Sequence, residues 1–236
     1  MRINKSDRQL FVDLQAQQAQ LNNGNLARHQ GIWQKILTAP EQGELFSYLL
    51  GDPNQPEGYI IFTQKKNKLQ IRDWVILTAT AARRLWSFFR NHRSQINEIT
   101  WWGSPINPWL LLLPEQSATM VKQKDWMLRI IDLPQALTQR GYPPELTAEL
   151  HLEIQDELLP QNNGKFRLQV SQGIGVVNQG GKGDLQINIR HFAPLYTGLL
   201  TPRQLRKLNY LQATPEALGI ASLIFTGDRP WMADFF

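Results

Sequence analysis

Between residues 150 and 189, apolar and polar residues alternate in three separate runs. Leu150, Leu152 and Ile154 form the first, Phe166, Leu168 and Val170 the second, and Leu185, Ile187 and Ile189 the third. A period of two sends successive side chains to opposite faces, so each run predicts a strand with one buried face and one wet face. Gly164 and Gly180–Gly183 fall between the runs, where turns need backbone freedom. The chain then turns helical. Thr201-Pro202-Arg203-Gln204 and Thr214-Pro215-Glu216 each place Thr at an N-cap and Pro at the first helical position. Strands followed by helices predict an α+β domain.

The first half has a different rhythm. Helices are expected over residues 6–21, stopped by Asn22-Asn23-Gly24, and from about Leu26 to Leu37, barred by Pro40. Gly58–Thr63 and Leu69–Leu77 are β-branched and aromatic, and Lys65–Lys68 makes a polar turn between them, so they predict an antiparallel hairpin. From Thr80 to Ile96 the period becomes 3.6. Ala82, Leu85, Trp86, Phe89 and Ile96 share one stripe, with Arg83, Arg84, Ser87, Arg90 and Ser94 on the other. Glu98–Trp102 predicts a short strand. The first unit is therefore a mixed α/β layer structure. Character changes near residue 125. Trp126–Ile131 is an expected strand, and Asp132-Leu133-Pro134-Gln135 opens a helix that runs to about Arg140. These patterns divide the chain into domains 1–122 and 123–236.

Charge obeys the same division. The chain of 236 residues carries +5, and residues 1–122 hold the whole excess, with 14 Lys and Arg against 9 Asp and Glu. Either an anionic partner or a basic solvated surface accounts for it. There is no cysteine, which excludes disulfides, thiolate metal sites and a cysteine nucleophile, and fits a reducing cytosol. The N-terminus shows no apolar signal region, and the longest apolar run, Trp109–Leu113, is far short of the ~20 residues of a membrane span. The expectation is a soluble cytoplasmic protein with no membrane partner.

Familiar chemical motifs are near misses. Gly175–Gly183 (GVVNQGGKG) resembles a phosphate loop, but its spacing is one residue too long and Gly183 replaces the hydroxyl residue. A glycine-rich hairpin loop is expected. His29, His92, His151 and His191 have no metal-ligand spacing, so no metal is expected. Arg83, Arg84, Arg90 and Arg93 offer charge for phosphates, yet no nucleic-acid motif accompanies them, and no nucleic-acid partner is expected. Asp132 and Asp156 lie on different elements, and Asp132 is explained as a helix cap. No nucleophile elbow appears. From residue chemistry alone, the chain has no self-evident active site.

Three stretches carry a resemblance: Asn23–Leu37 (NGNLARHQGIWQKIL), Asp125–Pro143 (DWMLRIIDLPQALTQRGYP) and the closing TGDRPWMADFF. They resemble the later part of the enhanced-intracellular-survival acetyltransferases of the GNAT superfamily, most specifically in Trp126, Arg129, Asp132, Ala136, Leu137, Arg140 and Tyr142. The resemblance implies a degenerate GNAT-like mixed α/β domain, then an α+β domain of sterol-carrier-protein type. It implies that a preceding GNAT domain, which binds acetyl-CoA in that family, is absent, so acetyl-CoA is the co-substrate of the full-length enzyme and this chain alone binds none and is inactive. Where such a domain would carry its glycine-rich pyrophosphate turn, this sequence has Thr78-Ala79-Thr80-Ala81-Ala82-Arg83.

The resemblance also implies a primary-amine substrate, aminoglycoside-like or lysine-type, and a homo-oligomer, hexameric in the family. It makes the free C-terminal carboxylate of Phe236 the general base. The alternative is a non-catalytic module of sterol-carrier type that binds an apolar ligand or serves assembly.

Overall fold

The computed structural model describes residues 8–41, 43–115 and 117–234. Contacts divide the chain into two compact units. One comprises residues 1–123 with the closing 231–236, the other residues 124–230.

The first unit is built on a sheet of four strands: β1 (Glu44–Asp52), β2 (Gln55–Lys65), β3 (Lys68–Ile76) and β4 (Glu98–Thr100), in that spatial order. The first three run antiparallel, and β4 lies parallel to β3. A parallel neighbour demands a crossover, and α3 (Ala79–Asn91) supplies it. The expected hairpin is β2–β3. The strand β1 had no separate sequence signal. The expected helix over 80–96 ends at Asn91, and Ile96 is buried in the loop beyond it.

Both faces of this sheet are covered. Ile60, Phe62, Leu69, Ile71, Trp74 and Ile76 pack with Ala81, Ala82 and Leu85 of α3. On the opposite face Tyr59, Ile61 and Val75 pack with Phe11 and Leu14 of α1 (Arg8–Leu21) and Trp33, Ile36 and Leu37 of α2 (Gln30–Leu37). This is why residues 59–62 are continuously apolar instead of alternating. At Gly58 the strands are so close that a Cβ would run into the carbonyl oxygen of Val75.

The register of β3 holds one irregularity with consequences. Phe62 pairs with Ile71, whereas Ile61 pairs with Asp73, leaving Arg72 as an extra residue. Such a bulge flips the parity of the residues beyond it. Ile71 and Trp74 therefore share the α3 face, and Asp73 joins Tyr59 on the α1–α2 side. The Arg72 guanidinium donates to the carbonyls of Lys35 and Thr38, closing the end of α2.

The second unit has a five-stranded sheet in the order β7-β6-β5-β8-β9: β5 (Ala148–Gln155), β6 (Gly164–Ser171), β7 (Ile174–Gln179), β8 (Leu185–Asn188) and β9 (Leu211–Ala213). One face buries Leu150, Leu152, Ile154, Phe166, Leu168, Val170, Leu185 and Ile187 in a core with residues of the helices α4 (Leu133–Gln139), α5 (Ile189–Tyr196), α6 (Pro202–Lys207) and α7 (Pro215–Ile224). The three alternations are these strands, except that Ile189 already opens α5 behind an Asn188 cap. The expected caps at Asp132, Thr201 and Thr214 are all present, and Thr201 forms a full capping box with Gln204. The strand expected over Trp126–Ile131 does not form.

The glycine loop is not a hairpin. β7 pairs with β6, while β8 pairs parallel with β5, so residues 180–184 must cross the sheet. They lie close on the wet face of β5. A Cβ at Gly181 would meet His151 Nδ1 at 2.5 Å, and one at Gly183 would meet Glu153 Oε2 at 2.7 Å. The loop is fastened there by Lys182 N–H donating to His151 Nδ1 (3.1 Å) and Gly180 N–H donating to the Lys165 carbonyl (2.7 Å). Glycine is needed for close approach and left-handed backbone, with φ of +101°, +109° and +79° at Gly180, Gly181 and Gly183.

Among the described residues no helix is long and apolar enough to cross a membrane, and no group of three or more His, Asp or Glu is placed to hold a metal ion. Each histidine has a structural partner. His29 caps α2, His92 Nδ1 lies 2.8 Å from the Phe88 carbonyl, His151 Nε2 lies 2.9 Å from Glu149, and His191 stacks on Tyr210.

Candidate functional site

Two places in the first unit bear on function: the turn from β3 into α3, and the anchorage of the closing segment.

The turn is where a GNAT fold would present bare backbone N–H groups to a pyrophosphate. Here Thr78 is the N-cap, and its hydroxyl accepts the Ala81 N–H at 3.1 Å. Ala81 and Ala82 are fully buried against the sheet. One of the turn's backbone donors is therefore already taken by its own cap. Below the turn, Thr80, Arg83, Arg84, Ser87, Phe88 and Asn91 line an open groove of about 460 Å³ along one face of α3. Of the four arginines singled out from the sequence, Arg83 and Arg84 lie on this groove.

The closing segment leaves the second unit after Pro230 and belongs to the first. The expected domain 123–236 thus gives up its tail. The Trp231 N–H donates to the Asn23 carbonyl (3.1 Å), its indole Nε1–H donates to Asn22 Oδ1 (3.2 Å), and Asn25 Nδ2 donates to the Trp231 carbonyl (3.4 Å). The three asparagines sit in and just after the turn that ends α1. Gly24 takes φ +90° there, and Asn22 also caps α1 by donating to the Gln18 carbonyl. The stop signal of one helix is therefore also the receptor for the tail.

Beyond Trp231 lies a buried ionic cluster. Arg28 Nη1 and Nη2 donate to the two oxygens of Asp73 at 2.6 and 2.9 Å, and Nε lies 3.0 Å from both oxygens of Asp234. Tyr59 donates its hydroxyl to Asp73 at 2.5 Å. The side chains of Arg28, Asp73 and Asp234 are only 5%, 4% and 9% exposed. The guanidinium also lies over the Trp33 ring, 5.1 Å from its centre. Burial alone would lower the Arg28 pKa, but Asp73 and, more weakly, Asp234 raise it well above its ordinary value. Burial, with Asp73 beside it, pushes the Tyr59 phenol well above the usual tyrosine range, so it stays a donor.

Phe236, whose carboxylate the family resemblance nominated, lies outside the described residues. What the structure shows is the anchorage two residues before it. Arg28, Tyr59, Asp73 and Asp234 escaped sequence reasoning. One signal was available: Arg72-Asp73 interrupts the apolar run LQIRDWVIL with two charges, a conflict that needs either an edge or a partner.

Comparison with known proteins gives the arrangement a family setting. Residues 24–130 match the model of the acetyltransferase (GNAT) domain, and residues 133–233 match that of the sterol carrier protein domain. The first of these stretches is thus similar to a GNAT domain and the second to a sterol carrier protein domain. The chain resembles a crystal structure of a GCN5-related N-acetyltransferase from Anabaena variabilis, with 50% identity and a TM-score of 0.95, covering 100% of this chain and 62% of that one. A GCN5-related N-acetyltransferase from Kribbella flavida is 27% identical with a TM-score of 0.85, and the overlap is 59% of its chain. An uncharacterized N-acetyltransferase from Streptomyces griseus is 32% identical over 178 residues, which are 73% of this chain and 42% of that protein. Eis1 from Mycobacterium abscessus, at 20% identity and TM-score 0.75, shares the fold. The chain thus spans about three fifths of the solved relatives' length. The expected fold class holds: a mixed α/β GNAT-type unit, then an α+β sterol-carrier-type unit.

Proposed function

We propose that this chain is part of an N-acetyltransferase that moves acetyl from acetyl-CoA to a primary amine, aminoglycoside-like or lysine-type, within a homo-oligomer. Its own contribution to the chemistry is the C-terminal carboxylate of Phe236, acting as general base. The donor site lies outside this GNAT-type unit. The observation that carries this reading is the anchorage of the tail: three asparagines and a buried arginine hold Trp231–Asp234, far more than a fraying chain end requires.

An α-carboxyl has a pKa of about 3.3–3.7 and a lysine-type ammonium about 10.4, so full proton transfer before reaction is uphill by about 9 kcal/mol. The carboxylate therefore holds the ammonium by a charge-assisted hydrogen bond; once one proton is lost to solvent, the neutral amine attacks the thioester carbonyl with its lone pair, the carboxylate takes the proton that the new C–N bond makes acidic, and the C–S bond breaks to release coenzyme A as its thiolate. Appending one residue after Phe236, or amidating the end, displaces or neutralises that group. In the acetylating protein, amine turnover is expected to fall by about 10²-fold or more. Unchanged turnover would remove Phe236 from the mechanism.

A further inference from the structure

We propose that His151 is an acid-released catch for the loop that crosses from β7 to β8. The ring must be uncharged to hold the loop, so protonation frees residues 181–183 from the wet face of β5.

A backbone N–H can only donate, so the Lys182 N–H, 3.1 Å away, fixes His151 Nδ1 as an acceptor. The ring hydrogen then sits on Nε2, where it donates to Glu149 Oε1 at 2.9 Å. Gln169 Nε2 holds the other oxygen of Glu149, also at 2.9 Å. The tautomer is thereby set from both sides. An imidazolium carries hydrogen on both nitrogens and accepts at neither, in any ring orientation. Glu149 keeps its bond to either form, because Nε2 bears a hydrogen in both. Lys182 does not: charging the ring sets donor against donor on the loop side.

The ends of the loop are fixed by backbone bonds that do not titrate. Gly180 N–H donates to the Lys165 carbonyl at 2.7 Å, and Thr214 N–H donates to the Asp184 carbonyl at 3.1 Å. Between them the Lys182 N–H hangs on the ring, while the exposed Lys165 reaches the Lys182 carbonyl with Nζ at 3.2 Å. Gly181 and Gly183 flank Lys182 in left-handed backbone and give the middle of the loop a hinge on each side. The charged groups around the ring are Glu149 and Glu153 on its own strand, Arg167 opposite it and Lys165 on β6, and Lys182 and Asp184 on the loop. Imidazole is the side-chain type that changes charge between pH 5 and 8. The His151 side chain remains 17% exposed under the loop, so solvent can deliver the proton. Gly183 lies on Glu153, and release of the loop uncovers Glu153 together with His151 on one face of β5.

Solution NMR of this chain, labelled with nitrogen-15, tests the catch between pH 8 and pH 5. Ring-nitrogen shifts report the form of His151. Water exchange of the Lys182 amide, taken relative to its intrinsic rate at each pH, reports the loop. At pH 8 the ring is expected in the Nε2–H form. As it charges, Lys182 protection is expected to fall at least about tenfold with the same midpoint, while the Gly180 amide and the β5–β6 ladder change less than about threefold. His151→Asn keeps an acceptor, with Oδ1 near the place of Nδ1, and cannot charge. Its Lys182 protection is expected to stay flat over the same range. An Nδ1–H tautomer at pH 8, a ring that stays neutral to pH 5, or Lys182 protection that outlasts protonation overturns the catch. Loosening of H151N over the same range also overturns it, by handing the effect to a neighbouring group. Loss of protection throughout the ladder does so as well, since the protein is then unfolding as a whole. Should H151N leave Lys182 unprotected at pH 8, the wild-type titration decides by itself.

Discussion

At the scale of single residues, the family-like pattern Trp126…Tyr142 turns out to be largely scaffold. Asp132 caps α4, Leu137 is fully buried, and the Tyr142 hydroxyl donates to the Leu137 carbonyl at 2.6 Å. Arg140 donates to the carbonyls of Gly141, Tyr196 and Ile224 and lies among the rings of Tyr142, Tyr196 and Phe225. Losing it leaves several carbonyls unsatisfied, so Arg140→Ala is expected to destabilise the second unit by about 2–4 kcal/mol, read by urea denaturation. Arg129 donates to Asp156 at 2.5 Å, and Asp156 also accepts from Asn162 and from the N–H groups of Leu158 and Leu159. Burial pushes the Asp156 pKa up, but these bonds win and hold it well below the carboxylate range.

That depressed pKa sets the sign of a pH effect. An unfolded Asp protonates near pH ~3.9, whereas the folded one resists. The contribution is complete above that value and is lost as pH falls through the depressed folded pKa. Melting temperatures measured from about pH 6 down to about pH 2 should therefore drop more steeply below about pH 4 in the wild type than in D156N.

At the scale of elements, turn chemistry was the most legible part of the chain. Thr201 read as an N-cap and is one, closing a capping box with Gln204 that the sequence reading had not named, so Thr201→Ala is expected to cost about 1 kcal/mol by thermal melting. The glycine loop was legible as a loop and not as a crossover, because strand order is a property of pairing and leaves no local trace in sequence. Gly181→Ala tests the corrected picture. A hairpin tip would tolerate a methyl group, while the crossover has φ +109° and His151 in the way. A loss of about 1–3 kcal/mol is expected in urea titration. The helix expected over Thr80–Ile96 was extended too far by its stripe, since Ile96 keeps the buried side after the helix has stopped.

At the scale of the whole molecule, the proposed function turns on where acetyl-CoA would bind. The GNAT-type unit retains the β3–α3–β4 crossover and fills its turn with alanine and a self-capping threonine. Calorimetric titration of this chain with acetyl-CoA is expected to show no saturable heat, and tight binding would return the donor site to this unit. The closing segment returns to the first unit after an entire second unit has intervened, so its partner residues Asn22–Arg28 lie far away along the chain, 206 positions in the case of Arg28 and Asp234.

The sequence by itself determined what depends on neighbours along the chain: strand period, helix caps, the stop at Asn22–Gly24, the absence of a glycine-rich turn. Local sterics and hydrogen bonds decide those, and they are written in consecutive residues. Tertiary structure alone decided the rest. The bulge at Arg72 turned Asp73 toward α2, and the crossing of β7 to β8 set strand order. The capture of Asp234 by Arg28 set where the tail is held. Each depends on residues far apart in sequence meeting in a water-poor interior, where a charge must find its opposite.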